Sequence, residues 1–169
     1  MQRYTHILVP LDGSQTAEAA LPHGFALAQL SGAPLTLLYV VPPIEDVIDS
    51  GAEPIFIDEQ FAARKTRALR YFDSIRKRPE CKALTIDTAV EMGPVAATVV
   101  TYAAQHGVDL IVMATHGRSG LQRWLLGSVA EKILHAAHQT IVLVRAFPPP
   151  ASPPTQARRR PVQAQLTHD

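Results

Sequence analysis

Five short apolar runs, separated by longer stretches with helical spacing, constrain the fold of this chain more than any other feature. They are His6 to Leu11, Leu35 to Val41, Leu84 to Val90, Leu110 to Ala114 and Ile141 to Val144. The runs around Val9, Leu38, Val112 and Val142 are almost continuously apolar. Strands of that kind are buried on both faces, as in a parallel sheet covered by helices. The alternation of strand and helix patterns leads to the same α/β class by a separate route.

The intervening segments carry the matching helical period. After Ser14, apolar or small residues fall at Ala17, Ala20, Leu21, Gly24, Phe25 and Ala28, which is one helical face. Ser14 suits an N-cap and Glu18 an early turn. Pro22 removes the bond to the Glu18 carbonyl, so a kink is expected there. A second helix is expected from about Glu59 to Lys77, with Arg64, Lys65, Arg67, Arg70, Arg76 and Lys77 along it. The stretch before it holds Glu45, Asp46, Asp49, Glu53 and Asp58. The charges read either as a solvated helix beside an acidic loop or as a docking surface for an acidic partner. A third helix opens at Gly93-Pro94, buries Ala96, Val99, Val100 and Ala103, and closes at Gly107. A fourth begins at Ser128, with Val129, Ile133, Leu134 and Ala137 as its apolar face and Ser128 and Glu131 at capping-box spacing.

Composition narrows the class of protein. A chain of 169 residues fits one domain. Its formal net charge of +1 argues against a dedicated nucleic-acid binder. The single cysteine, Cys81, cannot form an intramolecular disulfide. A reducing, cytoplasmic setting is therefore expected, with Cys81 a bystander. The apolar stretch Ile7-Leu8-Val9 is too short for a signal segment or a membrane span. After Arg145 the sequence turns to Pro148-Pro149-Pro150, Pro153-Pro154 and Arg158-Arg159-Arg160. This composition cannot bury enough surface to fold. The expected division is a domain over residues 1–146 and a disordered Pro/Arg-rich tail over 147–169.

The chemistry concentrates after the fourth strand, in Thr115-His116-Gly117-Arg118-Ser119-Gly120 and, further on, Gly127-Ser128 at a helix start. Glycine near a strand end lets backbone N–H groups approach an anion. A helix N-terminus adds unpaired donors and a favourable dipole. Arg118 and Arg123 add positive charge. The same glycines also suit plain turn chemistry. Asp12 ends the first strand, where an open α/β sheet binds its ligands. Its carboxylate can accept from ribose hydroxyls or cap the following helix. A Walker loop, a G-x-G-x-x-G after the first strand and a receiver aspartate after the third are all missing. His135 and His138 have no matching ligand set and suit a helix C-terminus.

The chain resembles the universal stress proteins of the ATP-binding type over roughly residues 3 to 146. Three segments carry the resemblance: Ile7 to Ser14, Leu38 to Pro42, and Asp109 to Arg145. Gly117, nine intervening residues and Gly127-Ser128 match the second half of that family's ATP motif. Its first glycine is replaced by Ala114. If that position requires φ > 0, alanine is strained by about 1 kcal/mol, and otherwise the change is nearly silent. The resemblance implies a five-stranded parallel sheet with helices on both faces, and ATP as ligand. It implies that Asp12 holds the ribose and that Pro10, Leu11, Val40 and Met113 line the adenine pocket. Gly117, Gly127, Ser128 and Val129 would hold the phosphates, Arg118 standing in the same loop, and Mg2+ would bind through phosphate oxygens. It also implies a homodimer paired through the last strand, Thr140 to Arg145. The expected activity is that of a nucleotide-responsive regulator. The alternatives are a slow ATPase or phosphotransferase with Asp12 and His116 as its candidate groups, and a dimeric scaffold without ligand.

Overall fold

The computed structural model describes residues 3–43, 54–115 and 126–145, with the side chains of 54–60 left aside. Five strands, β1 (Ile7–Leu11), β2 (Leu35–Val41), β3 (Ile86–Met92), β4 (Leu110–Ala114) and β5 (Thr140–Val144), form one sheet. The order is β3-β2-β1-β4-β5 and every pair is parallel. The helices are α1 (Gln15–Glu18), α2 (Leu21–Ser31), α3 (Pro54–Arg76), α4 (Val95–Gln105) and α5 (Ser128–Ala136). The fold is the expected five-stranded α/β sheet with helices on both faces. Among the described residues no helix is long and apolar enough to cross a membrane.

The period-2 alternation of the strands builds two cores. Ile7, Val9, Leu11, Leu35 and Leu37 pack with Ala17, Leu21, Phe25, Phe72 and Ile75, under α1, α2 and α3. Leu8, Leu38, Val40, Ile111 and Met113 pack with Val99, Ala103, Ala130 and Ile133, under α4 and α5. The approach of α2 to β1 is close enough to demand glycine. A Cβ on Gly24 would stand 2.9 Å from Val9 Cγ2 and 3.3 Å from Leu35 Cδ1.

Several boundaries differ from expectation, each for a local reason. Around the kink expected at Pro22 the helix is interrupted, with i→i−3 bonds at Ala19 and Ala20 and backbone angles that stay right-handed. The chain leaves the helix at Ala19 and restarts at Leu21, with Pro22 in the first turn, where no N–H is needed. Strand β3 begins two residues later than the apolar pattern suggests. Leu84 belongs to the turn after the short 3-10 segment Pro79–Cys81, its N–H donating to the Cys81 carbonyl, and it still packs on the core. The third strand therefore extends through Glu91 and Met92, in register with Val40 and Val41. The apolar face of α5 is Ala130 and Ile133, whereas Val129 and Leu134 are exposed. The capping box expected at Ser128 does not form. Gly127 is the extended N-cap, and Ser128 is already helical. At α4, His106 is the cap and Gly107 follows with φ +63°, as the sequence suggests.

Candidate functional site

Strand pairing locates the site. β1 pairs with β2 along its whole length and β4 with β5 along its whole length. Between β1 and β4 the ladder holds at Ile7↔Leu110 and Leu8↔Ile111 and goes no further. In a parallel strand, successive residues present their N–H and C=O groups to opposite neighbours. The Ile7 N–H donates to the Pro34 carbonyl, towards β2, while the His6 carbonyl accepts from Asp109 and Leu110, towards β4. Leu8 and Pro10 therefore face β4, and Pro10 has no N–H to give. The ladder ends where its next donor is missing. A proline is tolerated in this central strand because the lost donor faces an opening. Pairing thus stops towards the carboxyl ends of β1 and β4, the point where the strand order reverses and where an open α/β sheet forms its ligand crevice.

Asp12 stands on one side of that crevice. Its Oδ1 accepts from the Ser14 N–H at 2.9 Å and from the Ser14 hydroxyl at 2.6 Å. Ser14 Oγ in turn accepts from the Ala17 N–H at 3.1 Å, capping α1. Gly13 bridges the two with φ +80°, a backbone that a side chain disfavours. The helix-cap reading of Asp12 is thus realised one residue removed, through Ser14, and the carboxylate is oriented at the strand end.

The other side is built by β4 and α5. The Thr115 N–H donates to the Val144 carbonyl, and the Gly127 N–H donates to the Thr115 carbonyl, both at 2.9 Å. This pair of bonds pins the start of α5 to the carboxyl ends of β4 and β5. The Glu131 N–H makes the first intrahelical bond, to the Gly127 carbonyl. The N–H groups of Ser128, Val129 and Ala130 precede it and have no partner within the helix. They leave a positive dipole end beside the crevice. Because Gly127 takes the cap, the Ser128 hydroxyl is not used for capping.

The residues expected to line an adenine pocket separate by parity. Val40 and Met113 lie in the core under α4 and α5, and Pro10, two residues from Leu8 along β1, shares their face. Leu11 does not. Its side chain is buried in the opposite core with Ala17, because neighbouring strand residues point to opposite faces. Only its backbone faces the strand end, which corrects the expected lining. Ala114 is the last residue of β4 and pairs in register with Val144. Its backbone is extended, so the missing glycine brings no strain at this position. Gly117 and Arg118, with His116 and Arg123, lie outside the described residues. So do the acidic stretch from Glu45 to Glu53 and everything after Arg145.

A cluster that the sequence reading missed lies beneath Asp12. Arg78 Nη2 donates to Glu18 Oε2 at 2.7 Å, and this bond raises the already high pKa of Arg78. The Tyr71 hydroxyl is sealed from solvent near the Glu18 carboxylate, without a well-formed hydrogen bond to it. Burial, then the negative charge of Glu18 and more weakly of Asp12, holds it above its ordinary pKa. Residues so far apart in sequence give no signal until α1 and α3 share a face.

Comparison with known proteins agrees with this fold. Residues 3–145 match the family model described as the universal stress protein family. The universal stress protein MJ0531 of Methanocaldococcus jannaschii is 33% identical over 144 residues, covering 84% of this chain and 82% of that protein. The solved structure of MJ0577 from the same organism superposes with a TM-score of 0.76 at 30% identity, covering 87% of this chain and 99% of the other. A universal stress protein solved in complex with cAMP has the same fold, with a TM-score of 0.58 at 20% identity over 85% of this chain and 98% of that one. This chain belongs to the universal stress protein family.

Proposed function

We propose that the chain binds ATP in the β1/β4 crevice and acts as a nucleotide-responsive regulator. The observation that carries this reading is the juxtaposition at one opening of an oriented carboxylate and a helix N-terminus. Asp12 is held by Ser14 on the β1 side, and Gly127 is pinned by Thr115 on the β4 side. A carboxylate suits ribose hydroxyls and a helix N-terminus suits phosphates. Pro10, Val40 and Met113 offer an apolar wall for the base. Gly117 and Arg118 join the phosphate loop in this reading, with Ser128 and the backbone of Val129. That a protein of this fold is solved with cAMP supports an adenine nucleotide as ligand. Among the described residues no three His, Cys, Asp or Glu side chains group as metal ligands. Mg2+ would then take phosphate oxygens and water. Rapid hydrolysis would need a group that orients the attacking water. Asp12 already serves Ser14, so turnover is expected to be slow.

Dimerisation through β5 belongs to the same proposal. β3 and β5 are the sheet edges. β3 is guarded by exposed Asp87 and Glu91, whereas β5 reads Thr-Ile-Val-Leu-Val with no charge. An unguarded apolar edge favours pairing with a second strand. Exposed Val129 and Leu134 on α5 add apolar surface. The lone thiol, Cys81, fits a cytoplasmic setting.

Thermal melting with MgATP, MgGTP, AMP and buffer tests the site. At a concentration 100-fold above Kd, binding stabilises by about 2.7 kcal/mol, a rise of roughly 5–11 °C for a domain of this size. A rise specific to adenine nucleotides is expected. No shift with any nucleotide at millimolar concentration overturns the reading and leaves the dimeric scaffold.

A further inference from the structure

Helix α3 carries a line of like charge that the fold does not explain. Its buried stripe in the described part is Ala68, Phe72 and Ile75, and residues 62–67 are all exposed. Arg64, Arg67 and Arg70 occupy successive i, i+3 positions on it, with Lys65 alongside. Like charges at that spacing repel one another. Of the positions three or four residues from these cations, Asp73 beside Arg70 holds the one carboxylate. Among the described residues the ion pair is Arg78–Glu18, and none of the four is in one. Arg76 and Lys77 need no such account, since cations at a helix C-terminus complement its dipole. Arg70 stands more than a turn before that end, and Arg64 further still.

We infer that the ribbon of Arg64, Lys65, Arg67 and Arg70 is a docking surface for a short acidic segment of a partner protein. Guanidinium groups take carboxylates in paired hydrogen bonds. From Arg64 to Arg70 the helix rises about 9 Å, the length of roughly three residues of extended chain. A short acidic segment fits that span. An extended polyanion fits less well, because the carboxylate of Asp73 borders the ribbon itself. A duplex or an anionic bilayer would press phosphates against that carboxylate. The chain's net charge of +1 adds no long-range attraction to offset that repulsion. Around the arginines the exposed face offers Ala63, Thr66 and Ser74, and among the described residues Leu69 is its one exposed large apolar group, far less than the apolar face of a bilayer-binding helix.

The test is fluorescence anisotropy of a short labelled peptide of alternating Glu and Ala, titrated with the full chain at low and high salt. Two variants with equal change in net charge are compared: Arg64→Glu/Arg67→Glu on the ribbon and Arg3→Glu/Lys132→Glu elsewhere on the exposed surface. Both substitute exposed side chains, and circular dichroism checks that both fold. The ribbon variant is expected to weaken binding by about tenfold or more, and the control by less than about twofold, with salt erasing the difference. Labelled duplex DNA and phosphatidylglycerol vesicles are run beside the peptide. Three results overturn the inference: no peptide binding, equal losses in both variants, or tighter binding of DNA or vesicles than of peptide.

Discussion

Replacing Asp12 separates its support of a turn from the ligand contact proposed for it. Asp12→Ala removes an acceptor from two hydrogen bonds, to the Ser14 N–H at 2.9 Å and the Ser14 hydroxyl at 2.6 Å. Bonds to a charged acceptor contribute about 1.5–3 kcal/mol each when buried. Asp12 is only partly buried, so about 1 kcal/mol each is appropriate after solvent screening. The sum of about 2 kcal/mol lowers the melting temperature of the ligand-free protein by roughly 4–8 °C. Asp12→Asn keeps a carbonyl oxygen in the Oδ1 position and should cost less than half of that. With that oxygen engaged by Ser14, its amide nitrogen cannot accept from a ribose hydroxyl as the second carboxylate oxygen can. Losing one such bond, about 2 kcal/mol, raises Kd roughly 30-fold. At an ATP concentration 100-fold above the parent Kd, stabilisation then falls from about 2.7 to about 0.9 kcal/mol. Scanning calorimetry with and without MgATP reads both quantities in one experiment. If Asp12→Asn shows the full ATP shift, the carboxylate serves only Ser14, and the ribose role is wrong. If Asp12→Ala melts with the parent, the turn-support argument fails.

Three further outcomes follow from the same geometry. Pro10→Ala restores a donor facing β4. The added bond, about 1 kcal/mol, is largely offset by the freer unfolded chain, so calorimetry should show a nearly unchanged melting temperature but a smaller MgATP shift; an undiminished shift would show that ladder length does not set the crevice. Leu143→Pro places a proline where the backbone N–H faces away from β4, since Thr140 and Val144 make the bonds to the β4 side; light scattering should report a folded monomer, and a persisting dimer would move the interface elsewhere. Burial pushes the Asp109 carboxyl up, but bonds from the Thr5 N–H at 2.7 Å, the Thr5 hydroxyl at 2.8 Å and the His6 N–H outweigh it and hold the pKa below its ordinary value. Its contribution is therefore complete above the unfolded pKa of about 3.9 and lost as pH falls through the lower folded value. In urea unfolding, Asp109→Asn should cost about 1 kcal/mol at neutral pH, and a gap from the parent that persists undiminished below both pKa values would refute the assignment.

What the sequence made legible, and what it did not, divides along one physical line. The limits of β2 and β4 were readable because both strands are buried on both faces and their apolar runs stop at Pro42 and Thr115. Asp12, Gly127 and Ser128 were readable as strand-end and helix-start residues, since local chemistry marks such positions. Leu11 was misplaced by treating the strand end as a single wall, although the alternation that builds the two cores already sends it away from Pro10. Leu84 misled because an apolar side chain can reach the core from a turn as well as from a strand. At α5 both Gly127 and Ser128 suit a cap, and their backbone angles, which sequence does not display, decide between them.

Pro10 shows where the line falls. Its missing donor is visible in the sequence, but the consequence depends on which neighbour that donor would have faced. Facing β2, a proline at this position would have broken a ladder that runs the full length of β1 and would have opposed the strand assignment itself. Facing β4, it ends the ladder after Leu8 and Ile111 and opens the crevice between Asp12 and the start of α5. The chemical groups of the candidate site are thus local properties of the chain. The space between them is a property of strand order, and it exists only once β4 has crossed to the far side of β1.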